Sequence, residues 1–323
     1  MPSDSSDGFL VLEPSLQISF YYKLQKLKAL YLSDGLKETV AKVDLEVLDE
    51  ELRRYVGHDY LRRVASFGIR GEVFFPVPYL LRENPFLLGY YRLLFGLSQK
   101  EFYSKGPFGR FKRMEERREI LPSVEPALLD LCASLTRTGE RLVHSLDELS
   151  LNQVHELQIL TLGPQLRGSE NTRKGTAATR QVYTIIESIV GDYATEKTDR
   201  LIVLENDSHR IVFIEFFSDP DVQVTEKLET TTRPLVSMEI KGGTDASNIH
   251  NRIGEAEKSH QKSKNRGFFE FWTILRVEVD LGKSKAESPT TSHFFHLDNL
   301  NDPGHAESKK FKQLLGSIMG IKS

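Results

Sequence analysis

Cysteine is almost missing from this chain of 323 residues, which has only Cys132. A single cysteine excludes an internal disulfide and fits a protein of the reducing cytoplasm. No apolar run approaches the roughly eighteen residues that a membrane-spanning helix needs. The first residues, Met1–Gly8, are polar and acidic rather than basic and apolar. We therefore expect a frayed leader and not a signal peptide, and we expect no membrane partner.

Several sequence patterns of known chemistry are also missing. No CxxC pair or HxxxH spacing indicates a zinc site. No GxxxxGK[ST] loop is present, so no nucleoside triphosphate is implied. The two histidines that invite a catalytic interpretation, His209 and His260, are more typical of a solvated turn and of a helix surface. The net charge of −3 gives no support for nucleic-acid binding, although Lys241–Arg266 holds six basic against three acidic residues.

The composition is that of an ordinary globular protein, with 39% hydrophobic and 28% charged residues. We predict a mostly helical N-terminal region over 1–160 and a mixed α/β core over 161–323. In the first region, periodicity predicts helices over 16–32, 43–56, 85–97 and 121–162, with Gly71–Leu81 strand-like and Gly163-Pro164 ending the last helix. In the second region we predict a polar loop at Gly168–Thr176, a helix at 177–190, strands at 201–205, 210–217, 221–224, 235–241 and 268–279, helices at 253–264 and 308–318, and an irregular connection at 282–306.

The run Leu235–Lys241 carries the most informative pattern. Side chains alternate faces along a strand, so Glu239 and Lys241 share one face while Val236, Met238 and Ile240 share the other. We expect the apolar face to pack on a helix and the polar face to open into a cleft. The following Gly242-Gly243 would end the strand and allow close approach of backbone or ligand.

Asp221 begins another short alternating run and could pair with that strand. As neighbours, Asp221 and Glu239 could touch one metal ion. Two carboxylates can hold Mg²⁺, which polarises a phosphate and helps generate hydroxide. A nearby lysine, Lys241, can orient the attacking water and offset charge in the transition state. The alternative interpretation is a solvated strand face with no chemistry.

Pro220-Asp221 followed by Glu239-Ile240-Lys241 resembles the PD-(D/E)XK nuclease signature. Arg252-x-x-Glu255 resembles a further element of restriction endonucleases that read CCGG-containing sites, where an acid on the next helix follows the lysine. The segments Leu88–Leu94 and 239–260 resemble the XcyI-type restriction endonucleases, which cut CCCGGG. Enzymes of the CCGG type often lack the acid before x-Lys, so whether Glu239 or Glu255 is the main metal ligand stays open.

The resemblance implies a PD-(D/E)XK core, a mixed sheet flanked by helices, and Mg²⁺-dependent cleavage of double-stranded DNA at a short palindromic G/C-rich site. It also implies a homodimer in a prokaryotic cytoplasm, paired with a DNA methyltransferase. In nucleases of this fold a Glu on the helix before the sheet sometimes reaches the metal, which makes Glu187 a candidate ligand; a solvated Glu is the alternative. The rival functions are a structure-specific repair or recombination nuclease and a non-catalytic DNA-binding protein with a nuclease fold.

Candidate DNA contacts lie around the predicted active strand. Arginine is the usual partner of guanine in the major groove and asparagine that of adenine. A G/C-rich site favours Arg252 as the reader, although it could instead pair with Glu255 or Asp245 in a structural role. The full set of candidate DNA-binding residues is Arg173, Lys174, Asn248, His250, Asn251, Arg252, Lys258 and Lys262.

Overall fold

The computed structural model describes residues 14–244 and 248–322. The predicted leader Met1–Gly8 and the proposed partner Asp245 lie outside these residues. The described chain divides into two compact units, one up to Gly168 and one from Ser169. No helix within the described ranges is long and apolar enough to cross a bilayer.

The first unit is helical. Its helices are α1 (Ser15–Tyr31), α2 (Ser33–Val40), α3 (Leu45–Tyr55), α4 (His58–Ser66), α5 (Pro78–Glu83), α6 (Leu87–Leu94), α7 (Gln99–Ser104), α8 (Lys112–Arg117), α9 (Leu128–Ser145) and the first part of α10 (Leu151–Val190). Local sequence explains several starts. The Asp44 carboxylate accepts from the Glu46 and Val47 amides at the start of α3. Ser98 and Glu101 form a capping box at α7.

A buried ion pair lies within the core of this unit. The guanidinium of Arg92 on α6 is fully buried and donates to both carboxylate oxygens of Glu115 on α8, at 2.9 and 2.7 Å. Gln99 and Tyr103 donate to the same carboxylate. Arg92 lies inside one of the segments that carry the family resemblance, and the contacts give it a role in folding.

Two predictions for the helical region were wrong. Gly71–Leu81 is not strand-like: Gly71–Val73 is a 3-10 turn, and Pro78 begins α5. Proline suits that position because the first helical turn needs no amide hydrogen there. Helix α10 also does not end at Gly163-Pro164 but continues through Pro164 to Val190. The predicted loop Gly168–Thr176 is therefore helical. Beside Pro164, Leu162 and Leu166 pack with Tyr31 and Leu32, and such contacts can override the local preference against proline.

The second unit is built on a mixed sheet with seven strands among the described residues. They are β1 (Ala194–Lys197), β2 (Leu201–Glu205), β3 (Ile211–Phe216), β4 (Val222–Lys227), β5 (Thr232–Lys241), β6 (Glu270–Leu275) and β7 (His293–His296), in spatial order β1 to β7. The pairs from β1 to β5 are antiparallel, and β5–β6 and β6–β7 are parallel. This is the predicted α/β class with a mixed sheet flanked by helices.

Helices cover both faces of this sheet. On one face, apolar residues of α10 such as Val182 and Ile186 pack with Met238, and with Phe311 and Leu315 of the C-terminal helix α14 (Ala306–Met319). On the other face, α11 (Ile249–Asn265) returns the chain from β5 to β6. Its contacts with the sheet are largely polar. Ser237 of β5 bonds Ser263, and His260 bonds Thr273 of β6.

The C-terminal predictions were right in kind and incomplete in detail. The helix after the active strand and the terminal helix are present as α11 and α14. The strand predicted at 268–279 is shorter, covering Glu270–Leu275. The connection 282–306 is not irregular, since it contains most of α12 (Leu281–Glu287), β7 and α13 (Leu297–Leu300). These elements are too short to give a clear period in the sequence.

Candidate active site

Strands β4 and β5 bring Asp221 and Glu239 together. They are antiparallel neighbours with Val222 opposite Met238. Asp221 directly precedes β4 and Glu239 directly follows Met238, so continuing this register by one residue brings Asp221 opposite Glu239, and opposite residues project from the same face. An Asp221 carboxylate oxygen, Oδ2, also accepts a hydrogen bond of 2.7 Å from the Ile240 amide. The pairing predicted for these two runs is therefore present.

The Glu239 carboxylate is buried, with 4% of the residue exposed. Its Oε2 accepts a hydrogen bond of 2.7 Å from Lys241 Nζ, and its Oε1 accepts one of 2.5 Å from Ser259 Oγ. Glu239 and Lys241 thus share a face, as strand alternation predicts. The expectation that this face opens into a cleft was wrong at Glu239, because α11 packs over it through Ser259.

The charges of these groups perturb one another. Burial raises the pKa of Asp221 to about 6, and the negative charge of Glu239 adds to the effect. Burial alone would lower the pKa of Lys241, but its ion pair with Glu239 and the charge of Asp221 outweigh burial and raise it. The Lys241 ammonium is therefore held in its charged form by the carboxylates of Glu239 and Asp221. A shifted acid beside a paired lysine is typical of functional sites.

Two glycines allow close packing at the end of β5. A Cβ atom on Gly242 would overlap that of Ala178 on α10 and lie 3.2 Å from the Lys174 carbonyl oxygen. A Cβ atom on Gly243 would overlap the guanidinium of Arg252. Gly242 therefore permits the approach of backbone, and Gly243 that of a cationic side chain, immediately after Lys241.

Sequence reasoning missed Ser259 and its neighbour Asp219, which lie beside Glu239. Ser259 on α11 contacts the Asp219 carboxylate at 2.7 Å as well as Glu239. The ammonium of Lys262 holds the other oxygen of Asp219 at 2.7 Å and lowers the pKa of Asp219. The available signal was the helical spacing of Ala256, Ser259 and Ser263, with Lys262 beside them, on one helix. Because small polar residues do not form an apolar stripe, this spacing did not predict a buried face.

Asp221 and Glu239 fit a magnesium site in which the protein supplies only a few of the ligands. Among residues 14–244 and 248–322, no three or more histidine, cysteine or acidic side chains group as a metal cage. Mg²⁺ is usually bound through one or two carboxylates, the rest of its coordination coming from water and substrate phosphate. Asp221 and Glu239 meet that requirement. Glu255 is exposed on α11, close enough for its charge to act on Lys241.

Glu187 is not part of this group. Its carboxylate lies 3.5 Å from the ammonium of Lys197 on β1. Strand β1 is the edge strand, four strands from β5, which at about 4.8 Å per strand places it roughly 19 Å away. The pairing with Lys197 does not favour the prediction of Glu187 as a ligand shared with Glu239. It supports the alternative of a partly solvated surface residue.

Known proteins resemble this chain over almost its whole length. The family model described as XcyI restriction endonuclease matches residues 21–322. The type II restriction enzyme Cfr9I of Citrobacter freundii is 39% identical over 318 residues, 96% of each chain. The type II restriction enzyme XcyI of Xanthomonas campestris pv. cyanopsidis is 41% identical over 315 residues, 95% of each chain. This chain belongs to the XcyI restriction endonuclease family.

Family membership makes this protein a site-specific endonuclease of a restriction system, and hence a DNA-binding hydrolase. It favours that role over a repair nuclease and over a non-catalytic DNA-binding protein. The structure in turn places the predicted DNA contacts of this XcyI-family enzyme, which fall into two groups.

The first group lies at the start of α11. The Nη1 atom of Arg252 is buried and has no hydrogen-bond partner among the described residues, and no ion pair with Glu255 is found within them. Asn251 donates to the Asn248 side chain at 2.7 Å, so these two amides hold each other. The His250 ring lies 2.6 Å from Glu287 on α12. Arg252 is therefore the member of this group with a buried donor that has no partner among the described residues.

The second group is exposed and cationic. Lys258 projects from α11, and Lys262 pairs with Asp219 while 65% exposed. Arg173 pairs with Glu170 at 2.5 Å, and Lys174 bonds the Thr244 hydroxyl at 3.2 Å. The last two lie on helix α10 and not on the predicted loop.

His260, expected on the helix surface, is fully buried, and burial lowers its pKa to about 4.

Proposed function

We propose that this restriction endonuclease uses Mg²⁺ to hydrolyse phosphodiester bonds of duplex DNA at a short palindromic G/C-rich site, CCCGGG. The observation that carries the proposal is the convergence of Asp221, Glu239 and Lys241 at one end of the β4–β5 pair. In this proposal the three residues fill the places of the PD-(D/E)XK signature. The relatives are named type II restriction enzymes, which supports the activity. The recognition site CCCGGG rests on the resemblance to enzymes that cut this sequence.

In this proposal Asp221 and Glu239 hold the cation. When bound, Mg²⁺ supplies Lewis acidity that polarises the phosphate and helps a water to lose its proton. Glu239 is the main ligand in preference to Glu255, because Glu239 is buried and opposite Asp221 while Glu255 is exposed one helix away. Glu255 then acts through its charge on Lys241.

Lys241 serves as the electrostatic partner of the reaction. The pKa of its ammonium is raised, so it is charged at neutral pH and does not act as a general base. It can donate hydrogen bonds to a phosphate oxygen or to the attacking water. A positive charge fixed in a buried site stabilises the extra negative charge of the transition state without reorganisation.

Arg252 is the proposed reader of guanine. Its buried donor, without a partner in the part of the chain that the structure describes, is held against the glycine that follows the active strand, close to the reacting centre. A bidentate arginine–guanine contact contributes about 1–3 kcal/mol of discrimination. Arg252→Ala is expected to relax or abolish sequence choice with the fold intact, and unchanged cleavage of the same site would exclude this role.

A cleft of about 620 Å³ beside Asp221 offers a path for the DNA backbone. It is lined by residues of α10 and by the β1–β2 and β3–β4 connections, and includes the exposed cations Arg180 and Arg200. Asp199 and Asp221 line it too, so a bound divalent cation would leave the cleft net positive. Arg200 directly precedes β2, two strands or roughly 10 Å along the sheet from Asp221, within reach of a phosphate that neighbours the scissile one.

The remaining features of the proposal follow the resemblance and the bacterial source of the relatives. A palindromic site is matched by two-fold symmetry, so we infer a homodimer. A methyltransferase would protect the host site. The single, buried and unpaired Cys132 suits the reducing cytoplasm of a prokaryotic cell. We retain the division into a helical region over 1–160 and a nuclease core over 161–323 as part of the proposal.

A digest of phage DNA with purified protein tests the function most broadly. Incubation with Mg²⁺ is expected to give discrete fragments whose ends map by sequencing to CCCGGG, and incubation with a chelator is expected to give none. Cutting confined to branches or free ends would instead favour repair, and discrete fragments that map elsewhere would refute the proposed site.

A further inference from the structure

We propose that Ser259 is a positioning residue that holds the Glu239 carboxylate in the orientation that binds the divalent cation. The inference rests on the proposed role of Glu239 as a metal ligand. Nothing in the sequence pattern or in the family match assigns Ser259 a role.

Two hydrogen bonds hold the carboxylate of Glu239. Lys241 holds Oε2 at 2.7 Å and Ser259 holds Oε1 at 2.5 Å, so each carboxylate oxygen has one donor. Lys241 is carried by the same strand as Glu239, whereas Ser259 is carried by α11. Among the described residues, the serine supplies the hydrogen bond that fixes this carboxylate relative to a second element of the structure.

Ser259 lies between two carboxylates. Its Oγ lies 2.7 Å from Asp219, and Lys262 holds the other oxygen of Asp219 at 2.7 Å. A hydroxyl has one hydrogen and donates to one acceptor at a time. Asp219 is partly exposed to water and receives a hydrogen bond from Lys262, whereas Glu239 is buried and has the shorter contact with Ser259. We therefore assign the Ser259 hydrogen to Glu239.

A buried carboxylate without such a donor can rotate. Partners that hydrogen-bond a metal ligand orient it, and their removal typically lowers metal affinity or activity by about 10- to 100-fold. Ser259 is buried, so water does not readily replace its hydroxyl. Loss of the hydroxyl should therefore leave the buried Glu239 oxygen without a donor and let the carboxylate turn away from the orientation that binds the cation.

The chain offers a matched control one turn along the same helix. Ser263 is also buried under the sheet and its hydroxyl bonds Ser237 at 2.9 Å, but it does not contact Glu239. Ser259→Ala and Ser263→Ala each remove one buried hydroxyl from the interface of α11 and β5. Only the first removes a donor from the proposed metal ligand.

The experiment measures Mn²⁺ binding to the DNA-free full-length protein by electron paramagnetic resonance, with thermal unfolding as the check on folding. We expect the dissociation constant to rise by about 10- to 100-fold in Ser259→Ala and to stay at the wild-type value in Ser263→Ala. Ser259→Thr retains the hydroxyl and should restore affinity. In single-turnover cleavage at a fixed, subsaturating Mg²⁺ concentration, Ser259→Ala should lower the rate without changing the KM for DNA, and excess Mg²⁺ should restore most of the rate.

Glu239→Ala separates the two levels of the proposal. If Glu239→Ala loses Mn²⁺ binding but Ser259→Ala keeps wild-type affinity, the inference about Ser259 is overturned and the metal site stands. Equal losses of affinity in Ser259→Ala and Ser263→Ala would also overturn it, because the effect would then be structural. Wild-type Mn²⁺ binding by Glu239→Ala would refute the proposed metal ligand itself.

Discussion

Replacing Gly242 by alanine should disturb both the fold and the active strand. The added Cβ would overlap the Cβ of Ala178 and press on the backbone of α10 at the Lys174 carbonyl. Carbon atoms in contact normally stay about 3.5–4.0 Å apart, so the strand or the helix must move by more than roughly 1 Å. Overpacking of this kind costs about 1–3 kcal/mol of stability. The same shift displaces Lys241, and a misplacement of about 1 Å can cost on the order of 10²-fold in rate.

Two assays separate these effects. Urea unfolding followed by fluorescence reports on the second unit, because Trp272 is the single tryptophan and is buried in β6 beside β5. Single-turnover cleavage with excess enzyme reports on Lys241. Gly254→Ala is the control for stability: Gly254 lies in α11 with open space at its Cβ position, so alanine should stabilise by about 0.5–1 kcal/mol. Wild-type stability and rate in Gly242→Ala would refute the steric argument.

Three further predictions concern ion pairs, pH and DNA. Arg92→Ala should destabilise the first unit by about 3–5 kcal/mol in thermal unfolding, because it leaves the buried Glu115 carboxylate without its cation. The control Arg113→Ala breaks an exposed ion pair and should cost under about 1 kcal/mol. Equal losses in the two variants would contradict this prediction. The pKa of His260 falls from 6.5 to about 4 on folding, so His260 should cost on the order of 3 kcal/mol of stability as the pH falls through that range. The pKa of Asp221 rises from 3.8 to about 6, which contributes with the opposite sign over nearly the same range, so Asp221→Asn should stabilise the metal-free protein at pH 7 and expose the loss caused by His260 at lower pH. No gain in stability at pH 7, or no fall in the stability of Asp221→Asn between pH 6.5 and 4, would refute the corresponding assignment. Arg200→Ala should reduce the slope of log affinity against log salt by about 0.9 for every duplex sequence, and an unchanged slope would exclude the phosphate contact.

The sequence was informative where function depends on local alternation. The faces of β5 follow from the order of Val236, Met238, Glu239 and Lys241, and the structure places them as alternation predicts. The neighbourhood of Asp221 and Glu239 followed from one assumption, that two nearby runs pair as strands. Both inferences need only contacts between residues close in sequence.

Contacts at long range could not be obtained in the same way. Ser259 and Asp219 are 40 residues apart, and nothing in their local patterns connects them. His260 was placed on the surface because Lys258 and Lys262 flank it, yet it belongs to the buried stripe of small polar residues on α11. The continuity of α10 through Pro164 depends on packing along its length, which local propensity does not contain.

The central claim is that Asp221, Glu239 and Lys241 form one catalytic group. The most direct measurement is cleavage and binding of a duplex with one CCCGGG site by Asp221→Ala, Glu239→Ala and Lys241→Ala, each first checked for folding by Trp272 fluorescence. The proposal predicts that all three variants lose cleavage while retaining the fold and DNA binding. Cleavage at the wild-type rate by any one of them would contradict it.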